Sequence, residues 1–337
     1  APSNYCVPDC LQAAAKALQW VQGCSMEARR KEGYIIVIGL NLHSLAVVNS
    51  LLEAGAPPSC ILLVKTEHCT TGLGAEPWHE DGAIRNRVLN SLRLLGVRVK
   101  AYSLVDCKRD KAKGVIEAVI FSKGEELVEA GCMLLVNCSQ PCVSPQLGRV
   151  LEEADLVYLQ GGLVTNSRYR TSDRRLRAGG SGTRLGRMAL ARAGGREPAL
   201  APAQVGRLLA HSVLEEQEHE DEEDKEEEEE DQEDDGFPVH REAQLPGGLT
   251  YLHLSTGTPA QNRLTTSSPE SGEFRLAFDS RERVCAVHCL ARGCLASSHL
   301  TALHGCHKSL LTGVDQGTED LFTYFQQPHV LALFHDR

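Results

Sequence analysis

Hydrophobic residues near the start of the chain form a strand–turn–helix–strand pattern. Tyr34–Ile38 is a run of five apolar residues, four of them β-branched, which predicts a short strand buried on both faces. Gly39 ends this run, and residues 45–54 carry apolar side chains at helical spacing up to Gly55. A second apolar run follows at residues 61–64. This order is that of the first half of a dinucleotide-binding βαβ unit.

The turn after the first strand departs from the dinucleotide-binding pattern. A G-x-G-x-x-G sequence would place glycines at positions 39, 41 and 44, whereas the chain has Gly39, Asn41 and Ser44. The middle glycine normally lets the backbone approach a pyrophosphate, and Asn41 places a side chain there instead. The sequence therefore favours a Rossmann-like sheet with a degenerate loop over a sheet that binds a nucleotide.

Further elements follow by the same reasoning. Helical periodicity predicts helices at residues 11–22, 84–95, 205–214, 300–311 and 319–325. Apolar runs predict strands at residues 97–102, 114–121, 133–137, 249–254, 274–278 and 283–290, and a hairpin at 156–164. Strands that alternate with helices over residues 30–140 predict a parallel sheet covered on both faces.

Charge is distributed very unevenly along the chain. The formal net charge is −10, but residues 215–235 alone hold 17 acidic residues and a single Lys, so the remainder is mildly basic. Packed side chains cannot satisfy so many carboxylates, and this segment is expected to be a disordered linker. Nine Arg between residues 168 and 196 predict a solvated loop, with an acidic partner as the alternative. Nucleic acid is disfavoured, because Tyr169 is the only aromatic residue there.

Composition sets further bounds. Apolar residues make up 42% of the 337 positions and no apolar run approaches 18 residues, so no membrane span is expected. The chain begins with Ala1 and no signal-peptide pattern follows, which favours a piece of a longer protein. An odd count of 13 cysteines in a long chain predicts reduced thiols that pack as small hydrophobic groups.

Two groups of cysteines are candidate chemical sites. Four cysteines and three histidines near the C-terminus could form a zinc cluster: Cys285, Cys289, Cys294, Cys306, His288, His304 and His307. Their spacing contains no C-x-x-C pair, so structural thiols are favoured and no metal is expected. Cys138 and Cys142 have a C-x₃-C spacing, which disfavours redox chemistry. No catalytic residue is predicted.

A segment of the second half resembles a flavin-site pattern. Flavoprotein disulfide reductases carry T-x-x-x-x-I-Y-A-x-G-D in the strand and turn that close the flavin site. The matching positions here are Thr171, Leu176, Ala178 and Gly180. Arg177 replaces the aromatic residue, and Ser181 replaces the Asp that holds the ribityl chain of the flavin in that family.

The C-terminal segments resemble the cilia- and flagella-associated protein 61 family. The resemblance rests on four sequences: L-P-G-G-L-T-Y-L-H at residues 245–253, T-E-D-L-F-T-Y-F at 318–325, Pro328, and F-H-D-R at 334–337. It implies an axonemal protein of motile cilia, in the calmodulin- and spoke-associated complex at the base of the radial spokes, within the cytoplasmic cytoskeleton. It also implies a pyridine nucleotide-disulfide oxidoreductase-like fold that ends in a dimerisation-like domain.

The expected fold class is α/β, with a Rossmann-like parallel sheet and a smaller C-terminal α+β dimerisation-like domain. The expected divisions are a helical lead-in at 1–30, a degenerate dinucleotide-binding-like domain at 31–150, a flavin-domain-like remnant at 151–214, the acidic linker at 215–235 and the dimerisation-like domain at 245–337. The favoured function is a non-catalytic scaffold without a cofactor, and the alternative is an NAD(P)- or FAD-dependent oxidoreductase. Tyr324 and Phe325 are expected to be exposed anchors for dimerisation or docking.

Overall fold

The computed structural model describes most of the chain outside the acidic segment. The described residues are 4–6, 33–65, 81–110, 112–138, 145–159, 162–166, 168–173, 175–179, 183–185, 239–255, 260–293, 297–311 and 320–327, with single positions at 15, 17–19, 21, 78, 206, 209–210, 213 and 330. The chain divides into two compact units. The first comprises Ala1–Gln140 and Ala243–Thr250, and the second comprises Pro141–Glu242 and Tyr251–Arg337.

The βαβ pattern of the sequence is confirmed. Strand β2 (Tyr34–Ile38) leads into helix α1 (Leu42–Glu53), and β3 (Ile61–Lys65) pairs parallel to β2. Helix α2 (Gly82–Leu95) and strand β4 (Arg98–Ala101) extend the unit. Four of the five residues of β2 are buried, because the strand has a neighbour on each side and its side chains pack on both faces.

The parallel sheet predicted over residues 30–140 is present at β2, β3 and β4, but the sheet as a whole is mixed. Strands β5 (Ser103–Asp110), β6 (Val115–Lys123) and β7 (Glu126–Asn137) form an antiparallel meander, while the second half of β7 pairs parallel to β2. The result is a seven-stranded mixed sheet. Six of its strands follow the order β4-β3-β2-β7-β6-β5, and the seventh, β1 (Tyr5–Cys6), pairs with β7. The sequence did not reveal β5, because this outer strand is mostly exposed and polar and lacks an apolar run.

A short strand at the N-terminus completes this sheet. Strand β1 (Tyr5–Cys6) pairs parallel to β7 at Leu135 and Val136. Strand β6 pairs with β7 only as far as Ala118 opposite Gly131, and β1 lies along the part of β7 beyond that pair. Of the predicted helix at 11–22, positions 15, 17–19 and 21 are described, and all of them are helical. The proposed acidic linker at 215–235 lies outside the described residues.

The second unit begins with helix α3 (Pro145–Glu153), which the sequence reasoning did not predict. The predicted hairpin follows and is confirmed as strands β8 (Tyr158–Leu159) and β9 (Gly162–Thr165). Strand β10 (Thr183–Leu185) pairs parallel to β9 and makes a three-stranded sheet. Of the predicted helix at 205–214, only four positions are described.

A five-stranded sheet carries the C-terminal part. Its strands are β11 (Val239–Leu245), β12 (Leu249–Ser255), β13 (Asn262–Ser268), β14 (Gly272–Phe278) and β15 (Val284–Arg292), in the order β11-β12-β15-β14-β13. Strands β12, β14 and β15 match the predictions, whereas β11 and β13 were not predicted, because both are largely polar.

Two short helices accompany this sheet. Helix α4 (Ser297–Ala302) is followed by a 3-10 turn at Lys308–Leu310, and helix α5 (Leu321–Tyr324) lies close to β13. The predicted helix at 300–311 is therefore wrong beyond Ala302. The backbone tightens into a turn there, with Leu303 N–H bonded to Leu300 O at 3.3 Å and Gly305 at φ 74°.

One apolar cluster fills the space beside the five-stranded sheet. Phe274 of β14 stacks on Phe325 with ring centroids 5.2 Å apart and meets Phe322 edge-on at 5.4 Å. Tyr324 is 1% exposed and Phe325 is 8% exposed. The expectation that Tyr324 and Phe325 are exposed anchors is therefore wrong, because the C-terminal helix turns both rings into the core.

Candidate functional site

The loop between β2 and α1 is closed by its own side chains. Asn41 is the N-cap of α1, and its Oδ1 accepts a hydrogen bond from the Ser44 amide at 2.7 Å. Ser44 Oγ in turn accepts from the Asn41 amide at 3.0 Å and donates to the Asn41 carbonyl at 2.8 Å. Asn41 and Ser44 thus form a reciprocal capping box, with Ser44 fully buried. The two positions that break the glycine pattern are the two that build this cap.

Several amides of the turn that could hold a phosphate already have partners within the protein. A helix N-terminus binds anions because its first N–H groups lack intrahelical acceptors. Here the Gly39 amide donates to Val64 O at 2.9 Å, and the Leu45 amide donates to Asn41 O at 3.0 Å. Together with the capping box, four amides from Gly39 to Leu45 are satisfied internally. Gly39 keeps φ 108°, so the turn itself retains its glycine conformation.

Asn41 also bridges the crevice in which such folds bind ligands. Its Nδ2 donates to the carbonyl of Cys138, just beyond the end of β7, at 2.7 Å. The chain runs outward from β2 to β3 and β4 and then returns to β7 on the other side of β2. The carboxyl ends of β2 and β7 therefore flank the topological switch point of the sheet. No sequence signal pointed to the link between residues 41 and 138, because it joins positions 97 apart.

The segment that resembles the flavin pattern forms a tight local turn. The Thr171 amide bonds to Leu176 O at 3.0 Å, and the Ala178 amide bonds to Tyr169 O at 2.9 Å. Asp173 pairs with Arg175 at 2.8 Å, and this hydrogen bond and its charge hold the pKa of the Asp173 carboxyl below its usual range. Gly180 and Ser181 lie outside the described residues, so the replacement of the Asp of the flavin pattern by Ser181 stays an observation on the sequence.

The described cysteines and histidines of the candidate metal site lie partly on strand β15 and partly in the turn after helix α4. Cys285 and Cys289 are buried on β15, and burial raises the pKa of both thiols. Within the described residues, no three His, Cys, Asp or Glu side chains come together as a metal site. Cys294 and Cys142 lie outside those residues. Burial also raises the pKa of Cys138 to about 12, so this thiol is protonated at neutral pH.

Sequence reasoning missed a cluster of rings on the five-stranded sheet. His288 of β15 meets Tyr251 edge-on at 5.3 Å and His253 at 5.0 Å between ring centroids. Arg275 lies directly opposite His288 in the register of β14 and β15. Burial, aided by the charge of Arg275, lowers the pKa of His288 to about 4.

None of the helices in the described part of the chain has the length and apolarity needed to cross a bilayer.

Solved structures with the same fold are oxidoreductases. An NAD-dependent persulfide reductase from A. fulgidus matches 99% of this chain with a TM-score of 0.60 and 14% identity, and the chain spans 59% of that protein's length. A putidaredoxin reductase, solved as a covalent complex with putidaredoxin, matches with a TM-score of 0.58 and 12% identity over 100% of this chain and 70% of its own. The HOCl-induced flavoprotein disulfide reductase RclA from Escherichia coli, in a Cu(II) complex, matches with a TM-score of 0.51 and 12% identity over 90% of this chain and 64% of its own. At these identities the likeness establishes the fold, and the expected Rossmann-like class is confirmed.

The C-terminal part also matches a family of known proteins. Residues 237–333 match the CFAP61 dimerisation domain. This range takes in all five strands of the C-terminal sheet and helices α4 and α5. The resemblance carried by L-P-G-G-L-T-Y-L-H and the segments after it is thereby confirmed: beside a reductase-like α/β part, residues 237–333 are similar to the dimerisation domain of the cilia- and flagella-associated protein 61 family.

Proposed function

We propose that this chain is a non-catalytic structural subunit of the ciliary axoneme that supports the movement of cilia and flagella. The proposal places it in the calmodulin- and spoke-associated complex at the base of the radial spokes, within the cytoplasmic cytoskeleton. Its partners there are axonemal proteins and a second copy of itself, rather than a membrane or a nucleic acid. The dimerisation domain at residues 237–333 supports an assembly role.

The proposal that the chain is non-catalytic rests on the loop between β2 and α1, which its own side chains close at the switch point of the sheet. A dinucleotide's pyrophosphate needs free amides and close backbone approach at the first βα turn. In this chain the amides of Asn41 and Ser44 are bonded within the capping box, and the Asn41 side chain also bonds to Cys138 O. A nucleotide would have to break these hydrogen bonds, each worth about 1 kcal/mol net, before it made any of its own.

The second candidate is a working NAD(P)- or FAD-dependent oxidoreductase, and the reductase-like fold favours it. A fold alone does not carry an activity, since the chemistry depends on the site. Cys138 does not provide a thiolate for disulfide chemistry, because burial raises its pKa to about 12. A structural function therefore agrees better with the residues at the switch point than an oxidoreductase activity does.

Calorimetric titration of the purified chain with NADH, NADPH and FAD tests the choice. The wild type should be colourless and release no heat of binding. The double variant Asn41→Gly/Ser44→Gly restores the glycine pattern and should gain measurable affinity for NADH or FAD. Asn41→Ser is the matched control, because a Ser N-cap keeps the helix end capped. Stoichiometric flavin or NADH binding by the wild type would overturn the non-catalytic proposal.

The assembly part is tested separately in motile cells. A tagged chain should co-purify with radial-spoke and calmodulin-associated proteins from solubilised axonemes. The Asn41→Ser variant, which alters the loop without altering the dimerisation domain, should co-purify equally well. Recovery of the tagged chain from the cell body alone, with none in the axoneme, would contradict the proposed location.

A further inference from the structure

Within the described residues, the strand orders of the two larger sheets end in four outer strands, and three of them are protected against pairing with another chain. An exposed edge strand offers unpaired N–H and C=O groups to any partner strand, and natural proteins block this with charges, bulges or short length. Strand β4 has only four residues, including Arg98 and Lys100. Strand β5 carries charged residues and two irregularities in its register with β6. Strand β11 carries Arg241 and Glu242.

Strand β13 is the least protected of the four. Its seven residues are Asn-Arg-Leu-Thr-Thr-Ser-Ser, with Arg263 as the single charge and no proline. Its register with β14 runs unbroken from Asn262 opposite Phe278 to Ser268 opposite Gly272. Across the residues that the structure describes, β13 is the last strand of its sheet, and no strand pairs with its outer edge.

The strand is also held in a regular conformation by its surroundings. Leu264 packs against the apolar cluster of the domain. Thr266 Oγ1 accepts a hydrogen bond from the Leu321 amide at 3.1 Å, which ties the strand to the start of α5. Thr265, between them, points away from this side and is exposed. Such a fixed edge, with a single charged residue, needs little ordering to accept a partner strand.

We propose that β13 is the dimerisation edge, where it pairs antiparallel with β13 of a second copy of this chain. The occupant follows from the position of β13 inside the matched dimerisation domain, residues 237–333. Two such sheets would join into one continuous ten-stranded sheet about a two-fold axis, as a self-complementary interface requires. This inference rests on the self-association included in the proposed function, and adds the surface that performs it.

The symmetry fixes which residues meet. If the seven residues of β13 overlap fully, Thr265 lies opposite Thr265 of the second copy, and Arg263 lies opposite Ser267. The two Arg263 side chains are thus kept apart, and no like charges face each other across the axis. Thr–Thr and polar cross-strand pairs are favourable neighbours in antiparallel sheets.

Charge substitutions at the axis test the proposal. Thr265→Lys places two ammonium groups opposite each other, and Thr265→Glu places two carboxylates there. Each variant should weaken self-association at least about tenfold in sedimentation equilibrium, since like charges that face each other across an interface repel. An equimolar mixture of the two variants should regain wild-type association, because Lys then faces Glu. Ser280→Lys, at an exposed turn of the same domain, is the control and should dimerise as the wild type does.

Hydrogen exchange gives a readout that needs no substitution. Amides of residues 262–268 that point outward should exchange faster in dilute, monomeric samples than in concentrated, dimeric ones. A wild-type dimer that both Thr265 variants leave intact, with unchanged exchange at 262–268, would overturn β13 as the edge and leave dimerisation itself standing. A wild type that stays monomeric at all concentrations would instead refute self-association and with it this inference. Circular dichroism confirms that each variant is folded.

Discussion

The hydroxyl of Ser91 on α2 donates a hydrogen bond to the carbonyl of Pro246 at 2.8 Å. Pro246 lies 155 positions further along the chain. Both residues belong to the first compact unit. Pro246 opens the turn between β11 and β12, in which Gly247 and Gly248 have φ of 87° and 68°. A Cβ at Gly247 would lie 2.1 Å from Ser91 Oγ, whereas a Cβ at Gly248 would meet no atom within 4 Å. The L-P-G-G sequence therefore has a steric reason as well as a conformational one.

We expect Gly247→Ala to destabilise the chain more than Gly248→Ala. Both substitutions put a side chain on a left-handed residue, at a cost of about 1 kcal/mol. Only Gly247→Ala also displaces the Ser91 hydroxyl from Pro246 O, which adds about 1 kcal/mol for the lost hydrogen bond. Urea unfolding followed by circular dichroism measures the difference in the free energy of unfolding.

A double-mutant cycle isolates the contact. In a Ser91→Ala background the hydroxyl is absent, so Gly247→Ala should cost about as much as Gly248→Ala. Equal costs for Gly247→Ala with and without Ser91 would show that the hydroxyl does not restrict this turn.

The elements that the sequence predicted well are those whose signal is local. Tyr34–Ile38 is apolar along its whole length, and Asp81 and Gly96 mark the two ends of α2 through an N-cap and a left-handed C-terminal residue. Such features depend on neighbouring residues alone. The degenerate turn at Asn41 was also visible, but the sequence showed only that the middle glycine of the pattern was missing.

What the sequence could not show depends on contacts between distant positions. The Asn41–Cys138 hydrogen bond and the burial of Tyr324 and Phe325 both arise from the tertiary fold. The sequence alone does not distinguish an aromatic residue in a core from one at an interface, since both environments bury large apolar surfaces. Strand β13 was not predicted because Leu264 is the single apolar residue among its seven, so it shows no apolar face.

Asn4 should be among the most sensitive polar residues of the chain. Its side chain fills the gap where β6 leaves β7: Nδ2 donates to Ile116 O at 2.8 Å and Met133 O at 3.2 Å, and Oδ1 accepts from the Ile116 amide at 2.8 Å. Asn4→Ala would leave buried backbone groups without partners, at about 2–4 kcal/mol in total.

Asn49→Ala is the matched control for Asn4→Ala. Asn49 makes one exposed hydrogen bond to Glu53 on α1, and its loss should cost less than about 0.5 kcal/mol. Thermal unfolding of both variants gives the comparison. Similar melting temperatures for the two would mean that Asn4 does not hold the splayed strands together.

Phe325 should act through stability rather than through a surface. Phe325→Ala removes a ring that stacks on Phe274, and core Phe→Ala changes cost about 3–5 kcal/mol. Leu310→Ala, at a side chain that is 44% exposed, should change stability far less. Chemical unfolding distinguishes the two. A Phe325→Ala protein of wild-type stability with impaired assembly would restore the role of an exposed anchor.

His288 should make the stability of the chain fall in mild acid. Its pKa in the folded protein is about 4, below the ordinary 6.5, because burial disfavours the charged ring and Arg275 lies opposite. Below pH 6.5 the unfolded chain takes up a proton at this position while the folded chain does not. The contribution of the neutral ring is therefore complete above pH 6.5 and declines as the pH falls toward 4.

The expected loss between pH 6.5 and pH 4.5 is on the order of 2 kcal/mol for this one group. His288→Gln cannot take up a proton, so its free energy of unfolding should fall less than that of the wild type over the same interval. Urea titrations of both proteins at pH 7.5, 6.5, 5.5 and 4.5 measure the two slopes, and the values at pH 7.5 set the baseline cost of the substitution. An NMR titration of the His288 ring in the folded protein supplies the direct check. Parallel pH profiles for wild type and variant, or a ring that titrates near pH 6.5, would show that His288 is not held in its neutral form by the sheet.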